Sequence, residues 1–252
     1  WLNGTTPVTQ RFNVLTSPEI SVAQSVMPLA DGGSLSFGKI AISTHKDLVF
    51  TISNTGSAEL TGLNISIDGA DAADFSVTAA PSAPVAALGG STTFTLRFMP
   101  TAAGNKAAAL HIASNDDDEP SFDINLSGSA YTPAPEIDIQ QPAGTSLKDG
   151  SAKISFGTVI VGKTGSSKSF TIKNTGTASL TGFGISIDGT HPKDFVITPS
   201  SKKSLAPGAS TTFKVSFKPA AKGTRSAVIH IKNNDANENP YDIKLTGAGF
   251  VK

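Results

Sequence analysis

Phe50-Thr51-Ile52-Ser53-Asn54-Thr55-Gly56 alternates apolar and polar residues and then ends on a turn. At an offset of 120 positions the line returns as Phe170-Thr171-Ile172-Lys173-Asn174-Thr175-Gly176. Period-two alternation places successive side chains on opposite faces of a strand, so Phe50 and Ile52 predict one buried face. Asn and Gly then predict a sharp stop, at positions where positive φ is cheap. The echo continues outward. Phe37-Gly38, Ile65-Ser66-Ile67-Asp68-Gly69 and Asp74-Phe75 recur as Phe156-Gly157, Ile185-Ser186-Ile187-Asp188-Gly189 and Asp194-Phe195. A repeat of this length is too long for a solenoid unit and suits a whole small domain.

Each copy carries seven alternating sets. In the first they are Leu35/Phe37, Leu48/Phe50/Ile52, Leu63/Ile65/Ile67, Phe75/Val77, Phe94/Leu96/Phe98, Leu110/Ile112 and Phe122/Ile124/Leu126. The second copy matches them from Ile154/Phe156 to Tyr241/Ile243/Leu245, and no segment holds a helical period. Pro100 and Pro219, closing Phe-x-Pro, end strands because proline has no N–H for a ladder. Short strands punctuated by turns predict an all-β chain of two tandem immunoglobulin-like, seven-stranded β-sandwiches. The boundaries read as 19–130 and 136–252, joined by a short proline-containing linker at 131–135. Residues 1–18 form a separate segment in which Val8, Gln10, Phe12 and Val14 also alternate. Either they are the last strand of a preceding repeat, or they pair with a neighbouring subunit's sheet edge.

The formal net charge is zero, yet it divides unevenly. Residues 19–134 hold 12 acidic residues against 4 Lys+Arg, and residues 135–252 hold 8 against 15. Surface charge drifts freely between copies, or else an acidic repeat faces a basic repeat of another molecule. Cysteine is absent, which excludes disulfides and thiolate metal sites. No apolar stretch is long enough to cross a bilayer as a helix. The chain begins at Trp1, as expected of a processed protein or an excised fragment.

The recurring pieces resemble a known group. Asn54-Thr55-Gly56, Leu88 to Phe98, Asn115-Asp116 and Phe122-Asp123-Ile124 return as Asn174-Thr175-Gly176, Leu205 to Phe217, Asn234-Asp235 and Tyr241-Asp242-Ile243. This frame resembles the choice-of-anchor D repeats of bacterial surface proteins, related to Hydin-like (ASH/MSP) immunoglobulin-type domains. The resemblance implies secretion, display at a bacterial cell surface, tandem arrays and no catalytic role.

Candidate sites are few. Asp116, Asp118 and Glu119 crowd one loop, and Asp235 stands in its counterpart. Such oxygen ligands suit Ca²⁺, while the same residues also make a solvated turn. No other cofactor is expected. His111 and His230 hold equivalent strand positions that alternation turns outward into solvent. No G-x-S-x-G, H-E-x-x-H or P-loop occurs, so enzyme activity is not expected. The lysines of the second repeat lack interleaved aromatics and come with a single Arg, which argues against nucleic acid. The expected function is a non-enzymatic structural or adhesive surface protein, a stalk or filament subunit. Its partners would be further copies of itself or other surface proteins. Two alternatives stand beside it: a glycan- or peptide-binding accessory module, and an intracellular Hydin-like scaffold.

Overall fold

A computed structural model describes residues 16–252. The assembly strand Val8, Gln10, Phe12 and Val14 lies outside the described residues. The chain divides into two compact units, with the division between Thr132 and Pro133.

Among the described residues the first unit has nine strands: β1 (Ile20–Gln24), β2 (Met27–Leu29), β3 (Gly33–Ala41), β4 (Lys46–Asn54), β5 (Asn64–Asp68), β6 (Phe75–Ala79), β7 (Gly90–Phe98), β8 (Gly104–Ala113) and β9 (Ser121–Tyr131). One sheet runs β2-β1-β4-β7-β6 and the other β3-β9-β8-β5. All pairs are antiparallel except β3 with β9, which are parallel. The register explains the alternation. Phe50 stands opposite Phe94 and Leu48 opposite Leu96, so one face of each strand supplies the core. The Phe50 and Phe94 rings stack at 4.7 Å, and Phe75 stacks on Phe98 at 4.8 Å. β3 carries one extra residue against β9 at Phe37-Gly38, a bulge beside the fully buried Phe37.

The second unit repeats the plan with β10 (Ile137–Gln140), β11 (Lys153–Ile160), β12 (Lys168–Asn174), β13 (Leu180–Thr181), β14 (Gly184–Asp188), β15 (Phe195–Thr198), β16 (Ser204–Leu205), β17 (Ser210–Phe217), β18 (Gly223–Lys232) and β19 (Tyr241–Phe250). Its sheets are β10-β12-β17-β15 and β11-β19-β18-β14, with β13 and β16 as a short pair. The stacked pair returns as Phe170 and Phe213 at 5.0 Å. Each unit has its own hydrophobic cluster.

All seven alternating segments of each copy are strands, and the structure adds to them. β1 and β10 fill the Pro-Glu-Ile stretches that opened each repeat without being read as strands. They pair with β4 and β12, burying Ile20, Val22, Ile137 and Ile139. Tyr131, expected in the linker, is the last residue of β9. One turn mechanism is also corrected. Gly69 and Gly189 have φ of +103° and +98°, as Asp-Gly turns require, but Gly56 and Gly176 do not sit at positive φ. There the need is space: a Cβ on Gly56 would lie 2.4 Å from the Ser17 carbonyl oxygen and 2.6 Å from the Glu19 nitrogen. A Cβ on Gly176 meets Ala134 and Glu136 in the same way.

Candidate functional site

Among the polar side chains that recur in both copies, those at four places are buried or paired with an opposite charge, and they tie strands of their own sandwich together. Asn54 is fully buried at the end of β4. It accepts the N–H groups of Glu19 and Gly56 and donates to the carbonyls of Ala58 and Val85. Asn174 makes the matching four bonds to Glu136, Gly176, Ala178 and Leu205. A buried amide with every polar atom partnered locks the turn to the first strand of its repeat.

Asp74 and Asp194 close the short 3-10 turns immediately before β6 and β15 and are almost wholly buried. Lys106 reaches Asp74 at 2.9 Å and Asp71 at 3.1 Å, and these carboxylates hold its ammonium above its usual pKa, Asp74 most of all. In the second copy Arg225 pairs with Asp194. A Lys in one copy and an Arg in the other supply the same cation, so the pair is a brace joining β8 or β18 to the opposite sheet's edge.

His111 and His230 do face outward, but not freely into solvent. Nδ1 of His111 lies 2.8 Å from Asp123, and Nε2 lies 3.3 Å from Asp68. His230 sits 2.7 Å from Asp242 and 2.9 Å from Asp188. On the Nε2 side neither pair has the alignment of a hydrogen bond, so the attraction there is electrostatic. Two flanking carboxylates suit the imidazolium, and both histidines are raised above their usual pKa. The larger cause is Asp123 for His111 and Asp188 for His230. Asp123 is in turn lowered, through Ser121 and His111.

The fourth place is the acidic loop. Asp116 is buried, and its Oδ2 accepts the N–H of Ile20 at 2.8 Å, fixing the start of β1. Carboxylate oxygens of Asp116, Asp118 and Glu19 lie within 4.8 Å of one another. Asp235 holds Ile137 at 2.9 Å and converges likewise with Glu136 and Glu238. The loop expected to cluster Asp116, Asp118 and Glu119 thus keeps the first two, while Glu119 stands outside the set and Glu19 joins it from 97 positions away in sequence. Burial, then Asp31, Asp116 and the other nearby carboxylates, push Glu119 above its usual pKa. Burial and four acidic neighbours do the same to Glu238. Glu19 and Glu136 had a signal in the sequence, since each follows the proline that opens its repeat.

Tyr241 matches the core position of Phe122 and is itself buried, with its hydroxyl donating to the Leu147 carbonyl. Burial raises its pKa. An open groove of about 750 Å³ is lined by Phe156, Val159, Lys163, Lys168 and Phe250 among others. It contains no carboxylate or imidazole.

Residues 31–129 match the model of the HYDIN/CFA65/VesB-like Ig-like domain, and residues 145–250 match that of Cep192 domain 4. The first repeat is thus of the Hydin-like immunoglobulin type, and the second is similar to a Cep192 domain. No curated protein matches the chain. Among solved structures, a Porphyromonas gingivalis protein of unknown function is 14% identical, with 91% of this chain and 99% of that chain covered and a TM-score of 0.34. The ASH/PapD-like domain 7 of human CEP192 is also 14% identical, over 51% and 99%, with a TM-score of 0.33. The VesB protease of Vibrio cholerae is 10% identical, over 92% and 96%, with a TM-score of 0.34. At such scores these likenesses carry no argument about this chain. Among the described residues no helix is long and apolar enough to cross a membrane.

Proposed function

We propose that this Hydin-like chain is a non-enzymatic structural or adhesive protein of the bacterial surface, a stalk or filament subunit that meets further copies of itself. One observation carries the reading. The recurrent buried polar residues Asn54/Asn174, Asp74/Asp194 and Asp116/Asp235 are all engaged with their own backbone or with a bracing cation. What the two copies kept is scaffold, and what they changed is surface charge, to net −8 over 19–134 and +7 over 135–252. Opposite charge on two like bodies orients association and adds to its rate more than to its affinity. Residues 1–18, alternating at Val8, Gln10, Phe12 and Val14, supply a strand for a neighbouring sheet edge.

Size-exclusion chromatography and electron microscopy of the full chain beside one lacking residues 1–18, each at low and moderate salt, test this. Larger species that need both the segment and low salt support it. Identical monomers under all four conditions remove the filament reading. One feature favours a second reading, a peptide-binding module: the groove around Phe156, Lys168 and Phe250 offers aromatic surface beside a cation. A peptide array whose hits vanish on Phe156→Ala would select it.

A further inference from the structure

Asp116 is left with unfinished chemistry. Its residue is 1% exposed, its Oδ2 is taken by the Ile20 N–H, and its Oδ1 is buried without any hydrogen-bond partner. A buried carboxylate oxygen without a partner is costly, because it has given up water for nothing. The same carboxylate belongs to the set in which Glu19, Asp116 and Asp118 offer oxygens within 4.8 Å of one another. Among the described residues no lysine or arginine pairs with any of the three. Three carboxylates held together without a cation repel one another, so the arrangement lacks positive charge at its centre.

We propose that the first repeat binds one Ca²⁺ ion between Glu19, Asp116 and Asp118, with Asp116 Oδ1 as its buried ligand. The chemistry selects the ion. All three donors are hard carboxylate oxygens, with no nitrogen or sulfur to favour zinc or copper. Two of the three are exposed, so the set is irregular and open to water. Ca²⁺ fills such a site with waters to reach 6–8 ligands, whereas Mg²⁺ demands near-ideal octahedral geometry. The acidic repeat also draws a dication, with 12 acidic residues against 4 basic over 19–134. The ion joins the stretch that opens the repeat, through Glu19, to the β8–β9 loop, at the point where Asp116 already holds Ile20.

The second repeat serves as an internal comparison. Glu136, Asp235 and Glu238 converge in the same way, but Asp235 Oδ1 accepts the Asn237 N–H at 3.3 Å and is not orphaned. The proposal therefore places the stronger site in the first repeat. It does not depend on self-assembly, since it concerns a single chain.

The test uses the full chain stripped with EDTA and titrated with CaCl₂, followed by calorimetry and by thermal unfolding. Asp118→Asn and Glu19→Gln remove exposed ligands and leave the Asp116–Ile20 bond in place. Wild type is expected to bind one ion with a Kd of order 10⁻⁴–10⁻³ M, the range of open extracellular sites. Its melting temperature should rise by about 5 °C at a tenfold excess over Kd. Asp118→Asn should weaken binding at least about tenfold, since it removes one of only three anionic ligands, while its melting temperature in EDTA stays that of wild type. Glu136→Gln should leave the event unchanged. The proposal is overturned if ~10 mM Ca²⁺, well above that range, produces neither heat nor a shift. It is equally overturned if Mg²⁺ reproduces the full shift, if the double variant E19Q/D118N retains it, or if Glu136→Gln abolishes it. If Ca²⁺ gives neither heat nor a shift, Asp116 Oδ1 is met by a buried water.

Discussion

Replacing Asn54 with Asp asks whether the recurring turn is held by its amide or only by its shape. Asn54 accepts from Glu19 at 3.2 Å and Gly56 at 3.1 Å, and donates to Ala58 at 2.7 Å and Val85 at 3.1 Å. If the side chain is cut to Ala, the Val85 carbonyl keeps its Leu60 N–H at 3.0 Å, so three backbone groups lose their partner. Each buried group left unsatisfied costs about 1–3 kcal/mol, and partial access to water at Glu19 keeps the sum near the lower end. Asn54→Ala is thus expected to cost about 3–5 kcal/mol. Aspartate has the same size and keeps both accepted bonds, yet it sets a carboxylate oxygen against two carbonyls and buries a charge. Asn54→Asp should therefore cost at least as much as Asn54→Ala. Thermal and urea unfolding read this as a fall of about 15 °C in the affected transition. Asn174→Asp, with matching bonds, should repeat the loss. A variant Asn54→Asp within about 1 kcal/mol of wild type would refute the reasoning, because shape alone would then suffice.

Three further outcomes are expected. Gly128→Ala drives a Cβ to 2.6 Å from the Phe98 ring, which is stacked on Phe75 and cannot retreat, so unfolding measurements should show a loss of about 2–3 kcal/mol. Gly247→Ala meets Phe217 at 2.5 Å and should behave alike. Lys106→Met leaves the buried Asp74 without its cation and should cost about 3 kcal/mol, whereas Lys106→Arg should be mild because Arg225 does this work in the second copy. The histidine pairs carry a pH signature. Both histidines are raised in the folded state, so their contribution is full below the unfolded pKa of about 6.5 and is lost as pH rises through the folded values. Both rings are roughly a third exposed, and each pair should add no more than about 1 kcal/mol. Melting temperatures at pH 6 and pH 8 should differ more in wild type than in the double variant H111Q/H230Q, and parallel curves would contradict the assignment.

The strands were legible because burial alternates where the sequence alternates: Phe50 and Ile52 are fully buried while Thr51 and Ser53 are not. β1 was not, since Ile20 and Val22 alone make too short an alternation, and its pairing with β4 is a tertiary fact. The glycine of Asn-Thr-Gly was legible as necessary but not for the right reason, because the backbone that crowds Gly56 arrives from residues 17–19. The candidate sites show the same boundary. Asp116 and Asp118 are neighbours in sequence and were found together, while Glu19 reaches them only through the pairing that places β1 beside their loop. His111 was placed on the outer face, yet its partners Asp68 and Asp123 come from the two strands flanking β8, whose register a single sequence does not reveal.

Sedimentation velocity of the full chain at about 20 mM and about 300 mM salt tests the proposed role most directly, because screening over a Debye length removes attraction between unlike repeats. Concentration-dependent species larger than one chain at low salt, dispersing at high salt, are the predicted result. A single monomeric boundary at both, at every concentration, would contradict it.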